Sequence, residues 1–297
     1  MQDDKRAKLE ADLAAARASF DANPADESLA IWVGRRLSYL GRYEEAVAHY
    51  TEMMRRFGST PRLLRHRGHR YITLRQFDRA IEDLSLAQIL AAALPTEIEP
   101  DGIVFPAGPR ATLQGELFYR APGTPARAPG VEARTTLQGN ILYHLALAHF
   151  VAGDPAAASR WWQRAVDSAE NGDSLVSATY WLAIALFEQG RANDAVAALA
   201  HIRADGMDVR ENGTYHRLCL ALKGELPIEA LSAEDGPLGI GVDRATLGFG
   251  TAMYQRHVRK DEAAAKAALA ATAALPDRAS FGIIAAESLV RPRLRAD

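Results

Sequence analysis

Apolar residues recur every three or four positions along most of this chain, which is the spacing of an amphipathic α-helix. Alternation with a period of two, which indicates a half-buried strand, is scarce. The first predicted helix covers about residues 4–21, with Leu13 and Phe20 on its apolar face. Asn23-Pro24 ends it, because the residue before a proline disfavours helical backbone. The pattern therefore predicts an all-α protein.

Two stretches of the sequence align at a spacing of 34 residues. Gly34 matches Gly68, and Tyr43 matches Phe77. A period of this size is typical of proteins built from stacked structural units. The small residue in the first helix lets two helix backbones approach closely, and a tyrosine fills the space beside it. Each copy therefore predicts a pair of antiparallel helices joined by a tight turn.

Further copies extend the pattern to about six helix pairs. The fifth pair is predicted to be broken in its second half by Pro227 and by the glycines between positions 236 and 241. A last helix over about 278–290 would cover the outer face of the terminal pair, since terminal units need such a cap. The predicted pairs begin at about residues 27, 61, 139, 176, 210 and 245.

A proline-rich insertion interrupts the array. Residues 95–138 contain seven of the 14 prolines in the chain, and a loop of this length inside a compact array is usually functional or disordered. Thr112–Gly115 repeats as Thr136–Gly139, and we predict that the second copy opens a helix. We therefore predict one domain over 1–297: an N-terminal helix with two pairs over 1–94, this insertion, and the remaining pairs with the cap over 139–297.

The helix pairs resemble tetratricopeptide repeats, most clearly over 27–94 and 139–202. Residues 99–102, followed by Thr136-Leu137-Gln138 and residues 140–145, also resemble a bacterial subgroup with a proline-rich insertion. The resemblance implies a right-handed superhelical array of helix pairs. It also implies that the first helix of each pair lines a concave groove that binds a protein or peptide, with no enzymatic activity.

Composition excludes several classes of function. The net charge is −2 and the pI is about 6.5, so no global basic excess indicates a nucleic-acid partner. The single cysteine, Cys219, excludes an internal disulfide and lies between two leucines, as a buried apolar residue would. No segment reaches the roughly 18 uncharged apolar residues of a membrane span. If Met1 is the native start, we expect a cytoplasmic protein.

Arginine dominates one part of the chain. Between positions 53 and 77 there are seven arginines and no Asp or Glu. Arg62, Arg65 and His69 are three and four residues apart, so they share one helix face, and Arg35 takes the position of His69 one repeat earlier. Guanidinium groups bind carboxylates and phosphates through paired donors. This pattern predicts a site for an acidic peptide, a C-terminal carboxylate or a phosphorylated ligand.

The predicted groove is cationic at one end and aromatic at the other. The alternative to a binding site is a solvated surface that is rich in arginine only because the whole chain is: five of its 35 basic residues are lysines and the rest are arginines. We expect charge reversal at Arg65 to abolish binding with little effect on the melting temperature. The predicted partner-binding residues are Arg35, Arg62, Arg65, His69, Asn140, Tyr143, His144 and Tyr180.

An acidic segment follows the arginine-rich repeat directly. We predict that Glu97, Glu99 and Asp101 fold back and pair with Arg62 or Arg65, so that the insertion occupies part of the binding surface. The alternative is an exposed loop without contacts.

No catalytic, metal-binding or cofactor-binding motif is predicted. The histidines lack the HExxH spacing of a zinc enzyme, and the glycines between 236 and 250 lack the Lys-Ser/Thr of a phosphate-binding loop. The leading hypothesis is a non-enzymatic scaffold that binds an acidic protein or peptide, without nucleic acid or membrane. One alternative is a small-molecule or tailoring protein with the insertion as a lid. Another is self-assembly through a terminal repeat, and the oligomeric state stays open.

Overall fold

The computed structural model describes residues 2–99, 103–104, 135–231 and 240–291. In this part of the chain the fold is all-α, as predicted. Successive antiparallel helix pairs are joined by short turns, as in tetratricopeptide repeats (TPRs). The only strands among the described residues form a minimal antiparallel hairpin, β1 (Glu97–Ile98) with β2 (Ile103–Val104). The helices are α1 (Gln2–Ala22), α2 (Glu27–Tyr39), α3 (Tyr43–Phe57), α4 (Pro61–Thr73), α5 (Phe77–Ala91), α6 (Leu137–Val151), α7 (Pro155–Asp167), α8 (Gly172–Glu188), α9 (Ala192–Leu199), α10 (Gly213–Lys223), α11 (Ile240–Tyr254), α12 (Glu262–Ala273) and α13 (Phe281–Val290).

The described residues form two compact units. The first contains the residues up to 104 together with 135–145, and the second contains those from 146 onward. Helix α6 contributes its residues up to Leu145 to the first unit and its remaining residues to the second.

Side-chain caps fix where the helices begin. The Asp26 carboxylate accepts hydrogen bonds from the first backbone N–H groups of α2, and the Thr60 hydroxyl accepts one from Leu63 in α4. Such caps satisfy N–H groups that have no partner inside the helix. Gly41 has φ +75°, a backbone conformation that suits glycine, in the turn between α2 and α3. The turn predicted there is confirmed.

Close helix approach depends on glycine, as the alignment of Gly34 with Gly68 predicts. A Cβ placed on Gly34 would lie 2.3 Å from Cζ of Tyr50, and one on Gly68 would lie 2.7 Å from Cγ of Leu84. The Tyr50 ring belongs to the apolar core of α1 to α4. Glycine thus makes room for a large side chain at the same point of two consecutive helix pairs.

An aromatic cluster forms the core of the second unit. The rings of Trp162 and Trp181 stack with centroids 5.4 Å apart, and Phe249 stacks on Trp181 at 5.2 Å. Phe150 packs edge-on or tilted against all three, with centroids 5.8 to 6.4 Å away. Both tryptophans are at most 1% exposed.

Several element boundaries differ from the predicted ones. Helix α8 starts at Gly172 rather than 176, because the Asn171 side chain caps it. Helix α11 starts at Ile240 rather than 245 and runs into a π-helical turn, Gln255–Arg259. After α10, the described part of the broken fifth pair contains only a 3₁₀ turn, Ile228–Ala230. The final helix begins at Phe281 rather than 278, after a turn over 278–280.

The second copy of the short sequence echo opens a helix, as predicted. Thr136 precedes α6, and its Oγ1 accepts a hydrogen bond from the backbone N–H of Gly139 at 3.1 Å. The first copy, at 112–115, lies outside the described residues. Among the helices described, none combines the length and apolar character needed to cross a membrane.

Candidate partner-binding site

Four arginines of the first unit form what we call the arginine cluster: Arg35 of α2 with Arg62, Arg65 and Arg70 of α4. Pro61 at the first position of α4 and the Thr60 cap set the register in which the α4 arginines project. The buried His66 imidazole feels the charge of all four guanidiniums, and its pKa is well below the usual value because of burial and these positive neighbours.

The acidic segment at 97–99 lies on the arginine cluster. Glu97 Oε1 is 2.8 Å from Arg62 Nε, and Glu99 Oε2 is 2.9 Å from Arg65 Nη2. Alternate residues of an extended chain point to the same side, so both carboxylates face α4. The predicted pairing of this segment with Arg62 and Arg65 is confirmed, whereas Asp101 lies outside the described residues.

Polar contacts to the start of α6 hold the segment in place. Gln138 donates from Nε2 to the carbonyl of Pro95 at 2.8 Å and accepts from the Glu97 N–H at 3.2 Å. The Glu99 N–H donates to the Thr135 carbonyl at 3.1 Å. Asn140 Nδ2 donates to Glu99 Oε2 at 2.6 Å. The segment is therefore bound through backbone and side chains, much as a separate peptide would be.

The Glu99–Arg65 pair is buried, with 7% and 8% of the two residues exposed. Burial raises the pKa of Glu99, and the nearby guanidiniums of Arg65 and Arg35 oppose that rise. Burial also lowers the pKa of Arg65. This corrects the expectation that charge reversal at Arg65 would leave the melting temperature unchanged, because a carboxylate there would face Glu99 in a buried environment.

Two members of the arginine cluster form no ion pair with a carboxylate among the residues that the structure describes. Arg62 pairs with Glu27 at 3.0 Å as well as with Glu97, whereas no ion pair joins Arg35 or Arg70 to a carboxylate in the described part of the chain. Arg35 donates from Nη2 to the hydroxyl of Tyr39 at 2.8 Å. The Nε atoms of Arg35 and Arg65 are buried without a hydrogen-bond acceptor.

The predicted histidines lie within the same unit, but they are less accessible than expected. The rings of His69 and His144 are 4.3 Å apart between centroids, and His144 is only 4% exposed. Nδ1 of His144 is 2.7 Å from the Asn140 carbonyl. Burial and nearby guanidiniums hold the pKa of both imidazoles well below the usual value. Both rings therefore carry no charge at neutral pH and contribute a polar lining.

The two predicted tyrosines have different environments. Tyr143 is partly buried, and its ring meets His144 edge-on at 5.6 Å. Tyr180 belongs to the second unit and is 0% exposed, with its ring 5.2 Å from that of Tyr215. This burial contradicts the predicted exposure of Tyr180 on a groove, because α8 is covered on every side over most of its length.

Sequence reasoning missed three aromatic residues and one arginine of this site. The Arg35 guanidinium lies 4.6 Å from the centroid of Trp32, and the Arg70 guanidinium lies 5.7 Å from that of Tyr43. Tyr39, 47% exposed, accepts the hydrogen bond from Arg35. The sequence signal that could have identified Arg70 is its position four residues, about one helical turn, after His66.

Other kinds of site, namely pockets, metal centres and a lid, have less support in the described residues. Surface depressions of about 490 and 730 Å³ lie in the second unit, and neither contains a predicted site residue. The described ranges 2–99, 103–104, 135–231 and 240–291 contain no group of three or more His, Cys, Asp or Glu residues placed to hold a metal ion. Most of the segment proposed as a lid lies outside these ranges.

Comparisons with known proteins give distant structural matches. A scan against protein-family models finds no match, and a search of curated proteins finds no significant one. The chain is similar to the crystal structure of YrrB, described as a TPR protein with an unusual peptide-binding site, at 15% identity and a TM-score of 0.44 over 93% of this chain and 97% of that one. It is also similar to a tetratricopeptide repeat protein from Parabacteroides merdae ATCC 43184, at 11% identity and a TM-score of 0.49 over 95% and 94% of the two chains.

Proposed function

We propose that this protein is a non-enzymatic scaffold that binds an acidic segment of a partner protein at the arginine cluster. The contact residues are Arg35, Arg62 and Arg65, with Asn140 beside them and His69, Tyr143 and His144 lining the surface. We place this activity in the cytoplasm, because a chain with a single cysteine, Cys219, fits a reducing compartment.

One observation carries the proposal: the chain seats its own acidic segment on this surface. Glu97 and Glu99 are two residues apart in an extended backbone, and they meet arginines three residues apart on a helix. An extended chain spans about 6.6 Å over two residues and a helix about 4.5 Å over three. Long arginine side chains bridge that difference, so an extended Glu-x-Glu segment is a suitable ligand for α4.

A partner of this kind has to displace the internal segment. Ion pairs to buried or half-buried guanidiniums contribute about 1.5–3 kcal/mol each through charge-assisted hydrogen bonds. An external segment that supplies the same two carboxylates regains those contributions, so binding is an exchange between two similar ligands. The internal segment lowers the apparent affinity by the fraction of time that it occupies the site.

Peptide binding tests the proposal. The probe is a fluorescein-labelled synthetic peptide with the sequence of residues 95–104, measured by fluorescence anisotropy against wild type and the variant E97Q/E99Q. We expect at least tenfold tighter binding to the variant, because its internal segment no longer competes with two carboxylates. The bound peptide should also raise the melting temperature of the variant, since ligands stabilise the state that they bind.

Two controls make the result interpretable. A peptide with Gln in place of both Glu residues should not bind either protein. The single variant E97Q, which keeps the buried Glu99–Arg65 pair, should bind the acidic peptide with intermediate affinity. If the acidic peptide binds neither wild type nor the variants while circular dichroism shows intact helices, the proposal is wrong.

A further inference from the structure

The arginine cluster contains positive charge that Glu97 and Glu99, the described carboxylates of the internal acidic segment, do not neutralise. The guanidiniums of Arg35, Arg65 and Arg70 all lie near the phenol of Tyr50. The Glu99 carboxylate pairs with Arg65 and lies near Arg35, so the described residues place three positive charges and one carboxylate here. The pairing carboxylates of Glu27 and Glu97 surround Arg62 instead. Arg62 and Arg70 are eight residues apart on α4, about 12 Å along the helix axis, so these carboxylates do little for Arg70.

Among the described residues, no further carboxylate forms an ion pair with Arg35 or Arg70. Both side chains are partly buried, and the groups near Arg70 are the phenol rings of Tyr39, Tyr43 and Tyr50 and the guanidinium of Arg65. Burial lowers the pKa of Arg70 to about 10, so its guanidinium stays charged at neutral pH. A buried charge without a counter-ion is strongly unfavourable, which makes an anionic ligand the natural partner of this site.

Unused hydrogen-bond donors point to the same place. Arg65 is 8% exposed, and its Nε is buried without an acceptor, although its Nη atoms contact Glu99 and His66. Arg35 Nε is likewise buried without an acceptor. The Tyr39 hydroxyl accepts from Arg35, so its own proton points away from that bond. The site thus offers charge, donors and an exposed tyrosine at its edge.

We propose that Arg35, Arg65 and Arg70, with the hydroxyl of Tyr39, form a subsite for a dianionic phosphoryl group. A phosphate monoester carries a charge of about −2 at pH 7 and three acceptor oxygens, which matches the two uncompensated guanidiniums. A single carboxylate would leave one positive charge in place. Guanidinium groups also bind phosphate oxygens through paired donors, which lysine cannot do.

This inference rests on the proposed function in one respect: it names a second chemical feature of a ligand at the same surface. Two sources share the required chemistry, namely a phosphorylated side chain of a partner and a free phosphate or phosphate ester. Either source would lie beside Glu99, on the side of Arg35 and Arg70, and needs no displacement of Glu97 from Arg62.

Two probes separate the sources. The first is a fluorescein-labelled five-residue peptide of glycine and alanine with a central phosphoserine, compared with peptides that carry serine or glutamate there. The second is inorganic phosphate, titrated by calorimetry. Binding of the phosphoserine peptide identifies a protein-borne group, and binding of phosphate alone identifies a free anion. In either case the serine and glutamate peptides should bind at least tenfold more weakly than the phosphoserine peptide or not at all.

The variants R35M and R70M keep the aliphatic volume of the side chain and remove its charge. Each should weaken phosphoryl binding by about 10- to 100-fold, the value of one charge-assisted contact. Neither should lower the melting temperature, because each also removes an uncompensated charge. The matched control is R55M, since Arg55 is exposed on α3 and pairs with Glu52 at 2.6 Å, away from the arginine cluster. This variant should bind like wild type.

Three results would overturn the inference: no binding of either phosphoryl probe, equal binding of the glutamate peptide, or unchanged affinity in both R35M and R70M. Failure of the proposed function is recognised separately. If the acidic peptide of residues 95–104 binds E97Q/E99Q but the phosphoryl probes do not bind wild type, only the phosphoryl subsite is rejected. If the phosphoryl probes bind and the acidic peptide does not, only the proposed acidic partner is rejected.

Discussion

Glu99 and Arg65 form an ion pair with 2.9 Å between Oε2 and Nη2, and less than a tenth of either residue is exposed. The carboxylate comes from an extended segment that follows α5, and the guanidinium comes from α4. Asn140 donates a further hydrogen bond to the same carboxylate oxygen. This pair connects the segment after the second helix pair to the surface that we propose for partner binding.

Removing the negative charge at position 99 should destabilise the first unit. The variant E99Q leaves Arg65 buried beside Arg35 and without a counter-ion, and breaking such a pair costs about 3 kcal/mol. Urea unfolding followed by circular dichroism measures the loss. E97Q is the matched control and should lose less than about 1 kcal/mol, because Arg62 keeps its ion pair with Glu27. Equal losses in the two variants would contradict this account.

A methyl group at Gly34 should also destabilise the first unit. The added Cβ of G34A would lie 2.3 Å from the ring of Tyr50, which is 1% exposed and cannot move without disturbing the core. Overpacking of this kind costs about 1–3 kcal/mol, although Gly-to-Ala in an open helix is favourable. Stability in urea measures the net effect. The clash persists in a Y50F background, because phenylalanine keeps the ring. In a Y50A background the ring is absent, so adding G34A should lower the free energy of unfolding by less than it does in wild type. An equal loss in both backgrounds would argue against the contact.

The adjacent tryptophans of α7 provide a matched pair for the second unit. Trp162 is 0% exposed and stacks on Trp181, whereas Trp161 is partly exposed. We expect W162A to cost about 3–5 kcal/mol and W161A to cost about 1 kcal/mol or less. Thermal and urea unfolding of the two variants should be compared. Similar losses in both would mean that the aromatic cluster is not the core of this unit.

Stability should fall as the solution becomes acidic. The pKa of His66, His69 and His144 is well below the usual value in the folded state, so the unfolded chain binds protons that the folded chain does not. The stabilisation is complete above about pH 6.5, the unfolded value, and is lost as pH falls below it, by up to about 1.4 kcal/mol per pH unit for each histidine. Glu97 and Glu99, whose pKa values are raised by burial, act in the opposite sense. They are outnumbered, because burial also lowers the pKa values of His49, His149 and His201.

The free energy of unfolding measured between pH 7.5 and 5.5 checks this prediction. The variant H144Q should show a shallower decline than wild type, since one of the three imidazoles is gone. A decline of the same slope in both proteins would show that His144 does not contribute.

The helix pairs could be predicted from the sequence because they depend on the local spacing of apolar and small residues. The alignment of Gly34 with Gly68 correctly located two close helix contacts, and the proline at 61 located the start of α4. The pairing of Glu97 and Glu99 with Arg62 and Arg65 could be predicted because opposite charges lay on neighbouring segments with few competing partners.

Burial was harder to predict than contact. Tyr180 was placed on a groove by its repeat position, but α8 has no charged residue between Asp173 and Glu188, and a helix that is apolar all round is buried. Arg70 was overlooked because the predicted stripe followed Arg62, Arg65 and His69 and left out the neighbouring row of Arg62, His66 and Arg70, which are four residues apart. Its role depends on the tyrosines of α2 and α3, whose proximity no spacing within α4 reveals.

The central claim is that an acidic partner takes the place of the internal acidic segment, and amide hydrogen exchange tests this most directly. In the free protein the Glu97 and Glu99 amides donate to Gln138 and Thr135, so their exchange should be slow. Saturating peptide with the sequence of residues 95–104, added to wild type, should accelerate exchange at these two amides and leave the amides of α4 protected. If the peptide binds while both amides keep their protection, the partner does not bind where we place it and the claim fails.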